Sequence, residues 1–201
     1  MRRERQREVA QEGRKVEDRI IKLLHEDEKI RSECIIGHGP SRSCNDFVLE
    51  DPDTGESVKL DISDLKVPYR LEDGEKIHFL MDADVIVYHK KTERIICVIS
   101  VKKSFRERGA QAAYWAVKTK EIRRRRYKYI LVTPDVDNEL YDPSAQHRRP
   151  RKWRVILTNE MDTVFVIDKK QSFRQENFYV GNEYLKRYIK NLIKESFNNH
   201  L

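Results

Sequence analysis

Two stretches of this chain carry acids and a lysine at the ends of strand-like runs. Asp82 and Asp84 lead into Val85-Ile86-Val87-Tyr88, and Ser100-Val101-Lys102 closes the run Arg94-Ile95-Ile96-Cys97-Val98-Ile99. A short polar turn, His89-Lys90-Lys91-Thr92-Glu93, joins the two runs. This reads as a hairpin with a carboxylate on one strand beside a lysine on the next. Side chains alternate along a strand, so Ser100 and Lys102 share a face, and Asp82 shares a face with Asp84. Hydrolysis of a phosphodiester near neutral pH needs a divalent ion, an activated water and a cation near the developing charge. Magnesium is typically held by one or two carboxylates, with waters and phosphate oxygens completing its shell. The hairpin supplies such groups: Asp84 as the first acid, Asp82 as the second candidate and Lys102 as the cation. Taken singly, an Asp before a strand or a Lys after one is ordinary surface chemistry. The pairing on neighbouring strands is what points to a site.

The residues after Lys102 sharpen the picture. Ser104-Phe105-Arg106-Glu107 fits a capping box, with Ser104 as N-cap and Glu107 at N3 of a helix. A cap does not account for Arg106 and Arg108, because cations in a first helical turn oppose the macrodipole. Their presence implies an anionic partner at that helix end. Arg can take guanine O6 and N7 in a bidentate contact and Glu can accept from cytosine N4, so Arg-Glu-Arg here is suited to reading adjacent G·C pairs.

The segment Ser100-Val101-Lys102-Lys103-Ser104-Phe105-Arg106-Glu107-Arg108 resembles the signature of PD-(D/E)XK restriction endonucleases that recognise CCGG or split CC/GG cores. In that family Ser-x-Lys stands in place of Glu-x-Lys, and an Arg-(Asp/Glu)-Arg element follows four residues after the lysine, the spacing of Lys102 to Arg106. The resemblance implies a metal-binding role for Asp84 and a catalytic role for Lys102 in the motif containing Ser100. It implies base reading by Arg106, Glu107 and Arg108, with Mg²⁺ as cofactor. Glu17, in Gly13-Arg14-Lys15-Val16-Glu17-Asp18, resembles the first-helix glutamate common in the superfamily and is a second candidate metal ligand; as an exposed helix charge it would have no such role. Gln111 is a further candidate beside the reading element. One departure matters. Many Ser-x-Lys relatives carry the missing acid a little over three turns past the lysine, where this chain has Tyr114-Trp115-Ala116.

Elements must position these groups. Residues 5–30 read as an amphipathic helix, from Val9, Val16, Ile20, Ile21, Leu23 and Leu24 at helical spacing. Residues 37–41 read as a loop, and short strands are expected over 47–49, 58–62 and 77–80. The hairpin over 84–101 feeds a helix from about 104 to 126 and a strand over 129–133. Trp153-Arg154-Val155-Ile156-Leu157 and 163–167 each read as a strand, and an amphipathic helix closes the chain near 182–197. The expected fold is α/β: a PD-(D/E)XK restriction-endonuclease-like core with a mixed β-sheet flanked by helices, forming a single nuclease domain over 1–201. Its catalytic hairpin and recognition helix would span about 82–126.

Composition narrows the partner. The chain has 201 residues and a formal net charge of +7, from 41 Lys and Arg against 34 Asp and Glu. An anion is therefore the expected partner. No apolar run suits a membrane span, and the charged start Met1–Lys15 lacks the apolar core of a secretory signal. The basic runs Lys118–Arg126 and Gln146–Lys152 could track phosphates or simply face water. Cys34, Cys44 and Cys97 form no CxxC pair, which fits reduced thiols in a cytoplasm. Cys34, His38 and Cys44, with His25, match no standard zinc spacing.

The leading expectation is a type II restriction endonuclease cutting double-stranded DNA at a palindromic GC-containing site. A twofold homodimer would match the palindrome, and a cognate DNA methyltransferase is implied as partner. A repair or modification-dependent nuclease with the same core is the alternative, and a non-catalytic DNA-binding module is a reading from a different class.

Overall fold

The computed structural model describes residues 2–40, 47–105, 108–122, 125–145 and 150–198. Its centre is a seven-stranded mixed sheet in the order β1-β6-β7-β8-β9-β11-β10. The strands are β1 (Cys34–His38), β6 (Val85–His89), β7 (Arg94–Val101), β8 (Lys128–Thr133), β9 (Thr163–Val166), β10 (Phe173–Gln175) and β11 (Phe178–Val180). Strands β1, β6 and β7 are antiparallel neighbours, whereas β7, β8, β9 and β11 run parallel. Two hairpins leave the sheet between β1 and β6: β2 (Phe47–Glu50) with β3 (Ser57–Leu60), and β4 (Lys66–Arg70) with β5 (Lys76–Leu80).

Alternation along the central strands feeds two cores. Val85, Val87, Ile99, Val101, Ile130, Val132 and Phe165 point to one face. There they meet α1 (Arg2–His25), α2 (Glu28–Glu33) and α5 (Asn182–Asn198) through Ile20, Leu24, Ile30, Leu185 and Ile189. Ile86, Val98, Tyr129, Leu131 and Val164 point to the other face. That face is covered by α3 (Gly109–Thr119), α4 (Lys152–Glu160) and the β4–β5 hairpin through Ala112, Ala116, Leu157 and Val67. Strands buried on both faces read as continuous apolar runs, as parallel strands between helix layers do. Among the described residues, no helix is long and apolar enough to cross a membrane.

Several expected elements need correction. Residues 152–160 form helix α4, where a strand was expected over 153–157. Trp-Arg-Val-Ile-Leu has strand-like composition, but Trp153 and Leu157, four apart, pack inward while Val155 faces solvent. The first helix stops at His25 and a separate short α2 follows, capped by the Asp27 carboxylate on the Ile30 N–H. Residues 34–38 form strand β1, where Gly37 and His38 had been placed in a loop. Helix α3 is regular only from Gly109 to Thr119, shorter than the helix expected over 104–126.

Cys34 and Cys97 are free thiols buried under the sheet. Burial pushes the Cys34 thiol up to about 12 and holds the Cys97 thiol well above its usual value, so both behave as small apolar residues. Cys44 lies outside the described residues. His25 and His38 are engaged by acids rather than by thiols: His25 with Asp51 and Asp53, His38 with Glu17 and Asp18.

Candidate active site

The carboxyl ends of β7 and β8 and the amino end of β6 lie side by side at one end of the central strands. Register places Val85 opposite Ile99, so Asp84 faces the last residues of β7. Asp84 is stitched there by its backbone, its N–H donating to the Ile99 carbonyl at 3.0 Å and its carbonyl accepting from Gly39 N–H at 3.0 Å. Its carboxylate accepts the Val101 N–H at 2.6 Å and the Lys102 ammonium at 3.0 Å. Lys102 also reaches Asp82 at 2.7 Å and the Val101 carbonyl at 3.0 Å. Tyr129, from the neighbouring strand, donates its hydroxyl to the Asp82 carbonyl at 3.0 Å.

The lysine side chain is only 4% exposed, so its charge sits where water cannot carry it. Burial opposes the ammonium, yet Asp84 and Asp82 beside it hold its pKa above the usual lysine value. Burial raises the Asp84 carboxyl above its ordinary range and the Asp82 charge adds to this, against the pull of Lys102. Two carboxylates thus share one cation. Ser100 is fully buried on the same face, beside the Tyr129 hydroxyl. The structure brings Asp82, Asp84, Ser100 and Lys102 together.

Glu17 reaches the same end of the sheet from the other side. It accepts from His38 Nδ1 at 3.0 Å and from Arg14 at 3.3 Å, while His38 Nε2 meets Asp18 at 2.9 Å. His38 pairs with Val85 across β1 and β6, so it adjoins Asp84 along the backbone while its side chain turns toward α1. Two glycines allow the close approach. A Cβ on Gly39 would stand 1.7 Å from the Ala83 carbonyl oxygen, and one on Gly37 would stand 2.2 Å from that of Glu50. His38 was not singled out as a partner of Glu17 in the sequence, although the Gly-His-Gly triplet was the available signal.

The element expected to read bases opens next to Lys102. Arg106 and Glu107 lie outside the described residues. Arg108 occupies the N-cap of α3 and is exposed; Gln111, three residues on, is exposed too. Residues three apart share one helix face. Ser104 does not cap α3 as expected. The Phe105 N–H instead donates to the Asp137 carboxylate at 2.8 Å, and the Phe105 carbonyl accepts the Gly109 N–H at 3.1 Å. Gly109 lies flat against the Trp153 ring of α4, where a Cβ would be 2.4 Å from Cδ2. The basic segment at and after the end of α3 is partly spent on ion pairs, Lys118 with Glu121, Lys120 with Glu160 and Arg125 with Asp162. Arg123, Arg124 and residues 146–149 lie outside the described residues.

A mixed sheet flanked by helices, with acids and a buried lysine at adjoining strand ends, defines a restriction-endonuclease-like fold. The chain belongs to a family of type II restriction endonucleases: the family described as BsaWI restriction endonuclease type 2 matches residues 58–195, a span that holds Asp82, Asp84, Lys102 and all of α3. Over 100 residues the chain is also 42% identical to a protein named "Putative type II restriction enzyme MjaVIP" from Methanocaldococcus jannaschii. That alignment spans 48% of this chain and 43% of the relative.

Proposed function

We propose that this protein is a Mg²⁺-dependent endonuclease that cuts double-stranded DNA at a palindromic, CCGG-like site, working as a homodimer with residues 1–201 as one nuclease domain. The observation that carries the reading is the Lys102 ammonium held between Asp82 and Asp84 at the strand ends that lead into α3. A cognate methyltransferase would protect the same sites in the host.

The donor set fits a hard divalent ion. Asp82 and Asp84 together carry one more negative charge than Lys102 balances, and both present carboxylate oxygens, the ligands magnesium takes. Among the described residues, no group of three or more His, Cys, Asp and Glu side chains gathers as a metal cage. Two carboxylates with waters and phosphate oxygens remain the fitting mode. When bound, such an ion would polarise the phosphate and lower the pKa of a bound water. The chain's own groups do the rest. Asp84 is aimed by the Val101 N–H and Asp82 is fixed through Tyr129. Lys102 places a buried positive charge where the phosphate gains negative charge, and such preorganised charge is worth more in a site shielded from water. Arg108, with Arg106, Glu107 and Gln111, reads base edges, and Glu17, held by His38 and Arg14, is the further carboxylate assigned to the metal.

The test is a plasmid digest with mapped fragment ends. Wild type should cut at one recurring sequence in Mg²⁺ and not in EDTA. Asp84→Asn should abolish cutting while keeping the fold and part of the DNA binding. Undiminished cutting by Asp84→Asn would overturn the site. Scattered ends without a common sequence would turn the assignment to a repair or modification-dependent nuclease, and DNA binding without any cleavage would leave a binding module.

A further inference from the structure

The loop after β8 is built with more care than a connection requires. Asp135 is fully buried, and its carboxylate accepts the N–H groups of Leu140 at 3.2 Å and Tyr141 at 2.8 Å. Lys169 ties the Asp135 carbonyl and the Asn138 side chain together, each at 3.0 Å. Asp135 and Asn138 adopt left-handed backbone, φ 47° and 52°. A side chain there strains the backbone unless local bonding holds it, and Asp and Asn are the residues that tolerate it best. This ordered loop makes two contacts with the segment between Lys102 and α3. The Val136 N–H donates to the Lys103 carbonyl at 3.2 Å, and Asp137 accepts the Phe105 N–H at 2.8 Å.

Phe105 is fully buried, so its amide has no water to fall back on. The carboxylate that satisfies it comes from 32 residues away.

We infer that Asp137 is a positioning residue for base recognition: by holding the Phe105 N–H it fixes Phe105, whose carbonyl takes the Gly109 N–H, and through it the place of Arg108 at the start of α3. The inference rests on the reading above, in which Arg108 contacts bases. Asp137 touches neither DNA nor metal. It acts through geometry, so the length of its side chain matters more than its charge.

The experiment compares cleavage of a duplex carrying the mapped site with cleavage of duplexes changed at one base pair, using the full-length protein. Asp137→Ala should lower the ratio of the two rates by about tenfold, the worth of one bidentate base contact at the low end of its range. Asp137→Asn keeps the acceptor at the same reach and should retain the wild-type ratio. Asp137→Glu keeps the charge but lengthens the arm, and should lose discrimination as Ala does. Amide hydrogen exchange at Phe105 should accelerate in the Ala and Glu variants and not in Asn. If Asp137→Ala fails to fold, the Asn and Glu pair decides. Wild-type discrimination in Asp137→Glu, or loss in Asp137→Asn equal to that in Glu, overturns the inference. Arg108→Ala separates the two levels. If it loses discrimination while the Asp137 variants keep theirs, base reading stands and Asp137 has no part in it. If Arg108→Ala discriminates as wild type does, the base-reading assignment falls with the inference.

Discussion

Adding one methyl group at Gly109 should disturb the molecule more than most surface changes. The Cβ of Gly109→Ala would lie 2.4, 2.5 and 2.7 Å from Cδ2, Cε2 and Cε3 of Trp153. Carbon atoms in contact prefer about 3.5–4.0 Å, so the ring or the helix start must withdraw by roughly 1 Å. The clash is with a flat, partly buried ring and not with the loose end of a flexible chain. Overpacking of this kind costs about 1–3 kcal/mol, and the better helix propensity of Ala returns at most about 1 kcal/mol. The net loss should be about 1–2 kcal/mol, seen as a fall in Tm of roughly 2–8 °C for a chain this long. Trp153→Leu should relieve the strain, so the double variant should be more stable than the sum of the two single changes by about 1 kcal/mol. Thermal unfolding followed by circular dichroism measures all four proteins. A rise in Tm for Gly109→Ala, or additive effects in the double variant, would refute the packing argument.

Lys102→Met should lower the single-turnover rate by orders of magnitude at nearly unchanged DNA affinity; a rate that survives with weakened binding would make Lys102 a phosphate-binding residue only. Glu17→Gln should keep the fold and lower activity across a Mg²⁺ titration, and an unchanged titration would return Glu17 to the surface. His25 should make stability pH-dependent. Burial opposes its charge, but Asp51 and Asp53 raise its pKa above the usual histidine value of 6.5. Its contribution is therefore complete below pH 6.5 and lost as pH rises through the higher folded value. Urea unfolding from about pH 6 to about pH 9 should show that decline in wild type and not in His25→Gln.

The β6–β7 hairpin was legible in the sequence because its signals are local: alternating apolar runs, a polar turn and acids or lysine at the ends. Strand β7 falls on the expected residues, 94–101, and the closing helix within a residue of them. Strand β1 escaped notice because Cys-Ile-Ile-Gly-His is short and glycine-bearing, and its glycine serves a close approach visible only in three dimensions. Pro68 concealed β4, since proline argues against a strand unless an edge tolerates it. Helix α4 was misread because β-branched composition suggested a strand, while the packing of Trp153 and Leu157 obeys a helical period. At the reading element the local capping signal of Ser104 was misleading. The neighbouring Phe105 N–H is held by Asp137, and a partner that distant leaves no trace in local pattern.

The two halves of the proposed machinery differ in how far their parts lie along the chain. Asp84 and Lys102 are 18 residues apart on one hairpin in the middle of the sheet. The recognition segment, by contrast, is braced by the Asp137 loop and by Trp153, both well downstream. Local pairings at the centre of a sheet are the last to open, whereas loop braces belong to the weaker end of a molecule's stability range. Warming should therefore release the brace while the cutting centre is still intact. On the proposed reading, a half-loosened copy is an indiscriminate nuclease before it is an inactive one. For a host whose own chromosome lies within reach, the stability of that loop is then a matter of safety as much as of fidelity.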